Sequence, residues 1–377
     1  MDFELSEEQV LLKDSVDRFV QNNYGADDRL KLSQTELGFS RDHWKTMAEL
    51  GWLGMAFPEE VGGFGGGAVE TMIMMESMGR GLVLEPFVST VLLGGALVAE
   101  VGNEAQIESI IPSLIEGNMM LAFAYAEPQS RFNMNDVETT ASKSGDGYTL
   151  NGIKSVVYHG GTADKIIVSA RTSGDSRDAD GISLFIVDTN ADGVDIRSYQ
   201  TVDGQRAADV RLENVTVGAD ALLGDEGKAA PVIEKVTDRA TAALCAEAVG
   251  AMVATNDITN EYLKTRKQFG VPIGKFQVLQ HRMVDMYMEA EQSKSMSDMA
   301  AMKLDIGYDD ETKRAVSAAK SQIGKACKFV GQQSVQLHGG MGMTDEYSIG
   351  HYFKRLSTIE LLFGNTDYHL NRFSALS

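Results

Sequence analysis

The amino-acid sequence predicts an α+β fold in three consecutive parts. These are an α-helical N-terminal domain over residues 1–118, a middle antiparallel β-barrel or sandwich domain over residues 119–226, and a C-terminal four-helix bundle over residues 227–377. Three observations predict it. Apolar residues recur at helical spacing up to about Asn118, the period then changes to short β-rich runs separated by turn dipeptides, and from about Gly227 the helical pattern returns and holds nearly to the end. In the first part, Ser6 followed by Gln9 has the form of a capping box ahead of Leu11, Leu12, Val16, Phe19 and Val20. A second helix runs from about Ser40 through Trp44, Met47, Ala48 and Leu50 to Gly51. Residues 58–67, PEEVGGFGGG, hold too many glycines for helix or strand. No strand precedes them and no Lys-Ser/Thr follows, so a tight surface loop outweighs a phosphate cradle. A methionine-rich helix follows over residues 69–79.

In the second part the candidate strands are residues 121–125, 148–150, 165–170, 182–187 and 210–212, and Asn151-Gly152 is a hairpin-turn signal. In the third, Thr237 or Asp238 is placed to cap a long helix reaching Ile258, with further helices over residues 276–306 and 309–337. Long helices with short joins read as an up-and-down bundle.

Composition bounds the function. Among 377 residues, 34 Lys and Arg stand against 54 Asp and Glu, a net charge of −20. Nucleic acid and anionic membranes are bound mainly by Lys and Arg, so both are excluded as expected partners. The cysteines, Cys245 and Cys327, lie far apart in helical patterns, which predicts no disulfide framework and a reducing compartment. The opening Met1-Asp2-Phe3-Glu4-Leu5 is acidic, unlike a signal peptide. No apolar run reaches the roughly 20 residues of a bilayer span. Residues 82–101 come nearest, broken by Glu85, Pro86 and Gly94-Gly95. A cytoplasmic protein is expected. The histidines show no ligand-like spacing, so no metal site is expected.

Three segments go further: Ala124-Tyr125-Ala126-Glu127-Pro128, then Arg266-Lys267-Gln268-Phe269-Gly270 with Pro272-Ile273 and Phe276-Gln277, then Gln336-Leu337-His338-Gly339-Gly340-Met341-Gly342. In this order the chain resembles the acyl-CoA dehydrogenase family of flavoenzymes over nearly its whole length. Leu5-Ser6-Glu7-Glu8-Gln9 and the loop from Phe57 to Gly63 fit as well. The resemblance implies FAD as cofactor, an acyl-CoA thioester as substrate and an electron-transferring flavoprotein as acceptor. The reaction is α,β-dehydrogenation, in which a carboxylate takes the α-proton and the β-hydrogen leaves as hydride to the flavin. It also implies that Arg266, Phe269, Gln277, Gln336, Gly339 and Gly340 reach across a subunit interface to FAD, with Tyr125, Ala126, Val156, Tyr158 and Thr366 around the flavin of their own chain. Chemistry agrees: an Arg fork suits a pyrophosphate, and glycines let a backbone approach it.

The departures are informative. Where the family has Tyr-Glu-Gly-Thr with Glu as base, this chain reads Phe363-Gly364-Asn365-Thr366. The alternative base position on the long helix, counted back from Arg266, is Ala240. Of the remaining carboxylates, Glu247 is the substitute on nearly the same helical face, set against a bland reading as a paired helix-interior Glu. Asp238, Glu360 and Asp367 align with neither position. Gln129-Ser130-Arg131-Phe132-Asn133 and Val156-Val157-Tyr158 also replace the usual flavin-contacting residues, and Val cannot shield the ring as Trp does. The chain is therefore similar to small subunits of heteromeric acyl-CoA dehydrogenases, of the pimeloyl-CoA and steroid side-chain types. That implies either a homotetramer or an α2β2 heterotetramer with a Glu-bearing paralogue. The competing readings are a same-fold flavin monooxygenase, oxidase or lyase, and a non-catalytic structural subunit.

Overall fold

The computed structural model describes residues 5–376. The acidic Met1–Glu4 opening lies outside the described residues. The N-terminal body holds α1 (Glu7–Asn23), α2 (Ala26–Ser33), α3 (Arg41–Glu49), α4 (Ala68–Gly81), α5 (Ala96–Val101) and α6 (Glu104–Ile115). Ser6 and Gln9 form the reciprocal capping box at the start of α1, and Ser40 caps α3 by accepting from the His43 N–H at 3.2 Å. A π-helical segment, Val88–Gly95, precedes α5. A side chain at Gly94 would collide with Leu121, so the glycine lets this helix lie against the first strand.

The sheet contains β1 (Leu121–Ala124), β2 (Thr140–Ser144), β3 (Gly147–Tyr158), β4 (Lys165–Arg171), β5 (Ile182–Asp188), β6 (Val194–Gln200), β7 (Arg206–Gly218) and β8 (Leu222–Leu223). Its order is β6-β7-β3-β2-β4-β5-β8, with β1 on β4. The pairings are antiparallel except that β1 runs parallel to β4 and β2 touches β4 in parallel at one residue pair. Asn151-Gly152 does not turn the chain: the hairpin closes between Ser144 and Gly147, at Gly145-Asp146, and Gly152 sits inside β3 at a register shift. Gly145, at φ +59, takes the first turn position six residues earlier, the glycine-first form of a primed hairpin turn.

The C-terminal body holds α7 (Ala230–Thr265), a small hairpin of β9 (Lys267–Gln268) and β10 (Val271–Pro272), α8 (Gln277–Ile306), α9 (Asp310–His338), α10 (Ile349–Leu361) and α11 (Thr366–Ala375). Thr237 and Asp238 are not caps, because α7 begins a full two turns earlier, with Pro231 in its first turn. Asp309 caps α9, accepting from the Thr312 N–H at 2.9 Å. The helical bodies are clamped together by Asp305 of α8, whose carboxylate accepts from the Ala68 and Val69 N–H groups at the start of α4. One apolar core runs through both helical bodies and up to the sheet, and a second fills the sheet interior. Among the described residues, no helix is long and apolar enough to cross a membrane.

Candidate functional site

The three bodies meet at a small apolar cavity of about 60 Å³, walled by Met75, Met78, Leu93, Phe123, Leu244 and Phe363 among others. Strand β1 delivers Tyr125 to it. The Tyr125 ring lies 5.2 Å from Phe123 and 5.9 Å from Phe363, and burial raises its phenol far above the ordinary range. Ala126 follows, its carbonyl accepting from the Ser155 N–H at 2.8 Å. A β-bulge between Lys154 and Val157 pushes Val156 outward at φ +54, so this residue is exposed while Tyr158 turns inward. The bulge is anchored underneath by Lys154, which is wholly buried and donates to Glu127 Oε1 at 2.7 Å and Ser169 Oγ at 3.0 Å. Burial alone would raise the Glu127 carboxyl, but the Lys154 charge and hydrogen bonds from Lys154, Gln129 and Thr139 pull it down to about 2.

The charged groups on the cavity wall are paired. Arg355 of α10 donates Nε and Nη2 to Glu247 of α7 at 2.6 and 2.7 Å, and Nη1 to Asp203 at 2.8 Å. All three residues are buried. Glu247 is thus no free carboxylate: a guanidinium fork occupies both of its oxygens, which corrects its place as a candidate base in favour of a structural ion pair. Glu85 accepts from Tyr24 and from the Ser40 N–H, with His43 Nδ1 3.3 Å away.

The two usual base positions are closed. Ala240 is fully buried in α7. Gly364 has φ +116, and a Cβ there would overlap the Tyr368 ring and sit 2.9 Å from His369 Nε2. Phe363 before it is also left-handed, at φ +57. Lys320, buried in α9, holds this turn by donating to the Gly364 and Glu360 carbonyls at 2.7 and 3.0 Å. Beside the turn is a second cavity of about 370 Å³, lined by Asn133, Glu234, Asp238, Tyr368 and Arg372. Asp238 accepts from Tyr308 at 2.8 Å and from both terminal nitrogens of Arg372 at 2.7 and 2.6 Å; burial nevertheless raises its carboxyl. Glu360 is taken up by Lys328 at 3.0 Å and the Thr366 N–H, and Asp367 is exposed. Thr366 Oγ1 is buried without a partner.

The other predicted residues lie on an exposed face. Arg266 ends α7, and its guanidinium has no hydrogen bond or ion pair among the described residues. Phe269 and Gly270 form the two-residue turn of the β9–β10 hairpin at φ +53 and +80, as a primed hairpin turn demands. Phe269 is 91 % exposed at its tip. Gln277, Gln336, Gly339 and Gly340 are exposed too, and a Cβ at either glycine would meet only open space. Val278, Val284, Tyr287 and Met288 of α8 add exposed apolar surface. Within one chain, then, the structure gathers Tyr125, Ala126, Val156 and Tyr158 around the junction and leaves the Arg266 group facing solvent. Reading the sequence missed Arg355, Asp203 and Lys320. None carries a motif, since their roles arise only from long-range pairing.

Two helical bodies around a mostly antiparallel sheet, with a small cavity at their junction, define a three-part α–β–α protein. The sequence profiles of the acyl-CoA dehydrogenase N-terminal, middle and C-terminal domains match residues 6–118, 122–215 and 230–375. The chain is 31% identical over 374 residues to the probable acyl-CoA dehydrogenase YngJ of Bacillus subtilis, covering 97% of each. Among solved structures it is similar to the ChsE4–ChsE5 complex of Mycobacterium tuberculosis (TM-score 0.89, 26% identity, 100% of this chain and 98% of that one). Butyryl-CoA dehydrogenase of Megasphaera elsdenii is comparable (TM-score 0.88, 26% identity, 100% and 99% coverage). The chain belongs to the acyl-CoA dehydrogenase family.

Proposed function

We propose that this chain is the base-free subunit of an FAD-dependent acyl-CoA dehydrogenase, completing the cofactor site of a Glu-bearing paralogue in a heteromeric assembly. FAD is the family cofactor, and the family oxidises a carbon–carbon single bond of an acyl-CoA. The observation that carries the reading is the Phe363–Gly364 turn. Left-handed backbone and the Tyr368 ring fill the space a glutamate would need, while Ala240 has no carboxylate and Glu247 is locked on Arg355.

The residues fit FAD as two half-sites. Arg266 is a cation without a partner among the described residues, suited to a pyrophosphate. Gly339 and Gly340 offer open backbone beside it. Tyr125 and Tyr158 line the junction cavity as an aromatic wall, the half-site that would face the flavin ring. When bound, FAD supplies the acceptor for the hydride that leaves the acyl β-carbon. The α-proton leaves to the paralogue's glutamate in the paralogue's own cavity, and electrons pass on to an electron-transferring flavoprotein. The exposed faces of Phe269 and α8 support an assembly in which this arm is covered. The existence of the ChsE4–ChsE5 hetero-complex supports two unlike chains on this fold.

The test is to purify the chain alone and co-expressed with a Glu-bearing paralogue, and to measure flavin absorbance and dye-coupled acyl-CoA oxidation. The expected result is activity and full flavin only in the co-purified complex, with Arg266→Ala lowering its flavin content. Turnover by the lone chain at full flavin occupancy would overturn the reading.

A further inference from the structure

The glycine-rich loop over residues 58–67 and the start of α4 wall another cavity, of about 370 Å³. It shares no lining residue with the junction cavity: Leu244 and Glu247 of α7 line the junction, whereas Arg239, Ala242 and Ala243 line this one. Its floor is Met72, Val91, Leu92 and Leu304, and the space exists because Ala99, Ala242, Ala243 and Ala301 end at a methyl group. Protein interiors are close-packed, so an apolar cavity of this size forfeits contacts that larger side chains would have made. A mostly apolar lining with a few charged groups, at this volume, has the make-up of a small-molecule site.

The loop itself supplies no anion cradle. From Gly62 to Val69 every backbone N–H already donates within the chain. Gly62, Gly63, Phe64, Gly65 and Gly66 donate to the carbonyls of Glu59, Pro58, Gly54, Phe57 and Met55 at 2.8–3.1 Å. Gly67 donates to Glu70 Oε2 at 2.8 Å, and Ala68 and Val69 to the Asp305 carboxylate. A phosphate needs several convergent donors and finds none in this loop.

The charged rim is engaged in the same way, with one exception. Asp305 gives one oxygen to each of the Ala68 and Val69 N–H groups. Glu100 accepts from Lys235 on Oε2 at 2.6 Å and from Arg239 Nη1 on Oε1. Arg239 makes no other hydrogen bond among the described residues, and its side chain is 42% exposed. Its Nε–Nη2 edge is therefore accessible and unspent. Arg355 uses that same edge to grip both oxygens of Glu247. The rim thus offers donors and no free acceptor, in the fork geometry that suits a single carboxylate.

We infer that this cavity is a second ligand site that takes a linear aliphatic monocarboxylate, its carboxylate on the Nε–Nη2 edge of Arg239 and its alkyl chain along the apolar floor. The site lies outside the proposed cofactor half-sites and stands whether or not the chain works with a paralogue.

The experiment titrates the full chain, together with any chain that co-purifies, by calorimetry. The probes are straight-chain monocarboxylates of rising length, kept below their micellar concentrations, and the primary alcohol and primary amine of equal length. Affinity for the acids is expected to rise about fourfold per added methylene until the cavity is filled. The alcohol and the amine should each bind about tenfold or more weakly than the acid. Arg239→Gln, at a partly exposed helix position, should bring the acid down to the alcohol's affinity and leave the alcohol unmoved. Ala99→Phe, at a partly buried wall position, should remove binding of acid and alcohol alike. The inference is overturned if no acid binds, if the amine binds tighter than the acid, or if Arg239→Gln leaves acid affinity unchanged. Binding unmoved by Ala99→Phe also overturns it, since the alkyl chain then lies elsewhere. Flavin content and turnover, which test the heteromer reading, are separate measurements that none of these outcomes decides.

Discussion

The cavity side and the interface side of the candidate site are built on opposite terms. At the cavity, charged groups are buried and answered: Arg355 by Glu247 and Asp203, Lys154 by Glu127, Lys320 by two carbonyls. At the interface, Arg266 has no partner among the described residues and Phe269 is held out into solvent. A buried charge must be satisfied within the chain or the chain does not fold. An exposed one can wait for another molecule. The contrast therefore separates what this chain completes by itself from what it leaves open to solvent.

The largest expected effect breaks the cavity side. Arg355→Met leaves Glu247 and Asp203 buried without their cation and should cost about 3–5 kcal/mol in urea unfolding. A loss below about 1 kcal/mol would mean the carboxylates find water instead. The second test uses pH. Glu127 is held at about 2, below its ordinary 4.5, so its contribution is complete above about pH 4.5 and disappears as pH falls toward 2. That contribution amounts to roughly 3 kcal/mol at most. Lys154→Met should abolish that slope between pH 2 and 4.5 and, because an unpaired buried Glu127 is raised above its ordinary value, make stability fall as pH rises above 4.5; melting temperatures across both windows would show it.

Third, Gly364→Glu places a branched-off side chain on left-handed backbone against Tyr368 and should cost about 2 kcal/mol without creating dehydrogenase activity. Activity gained by this single change would remove the distinction between the two sides. The smallest effect sharpens the interface side. Phe269→Gly relieves a non-glycine residue at φ +53 and should stabilise the lone chain by about 1 kcal/mol while weakening its assembly. Chemical unfolding and sedimentation would report the two separately.

How much was legible in advance follows from the range of each interaction. Local rules found the Ser6–Gln9 capping box and the starts of the helices near Ser40 and Asp309, because neighbours in sequence decide them. The Asn151-Gly152 turn failed because tertiary pairing of β3 with β7 kept the strand running through it. The β1–β4 parallel pair had no local sign at all. In the site, Glu247 looked like a candidate base until Arg355, far along the chain, was placed against it.

The turn at Phe363–Gly364 ties three separate parts of the chain into one geometric unit. A glutamate at 364 would have to displace the left-handed backbone, the Tyr368 ring and the Lys320 hydrogen bond together. No single rotamer change accommodates it, so installing a carboxylate at this position is a problem of concerted redesign, with replacements at 364, 368 and 320 made as a set.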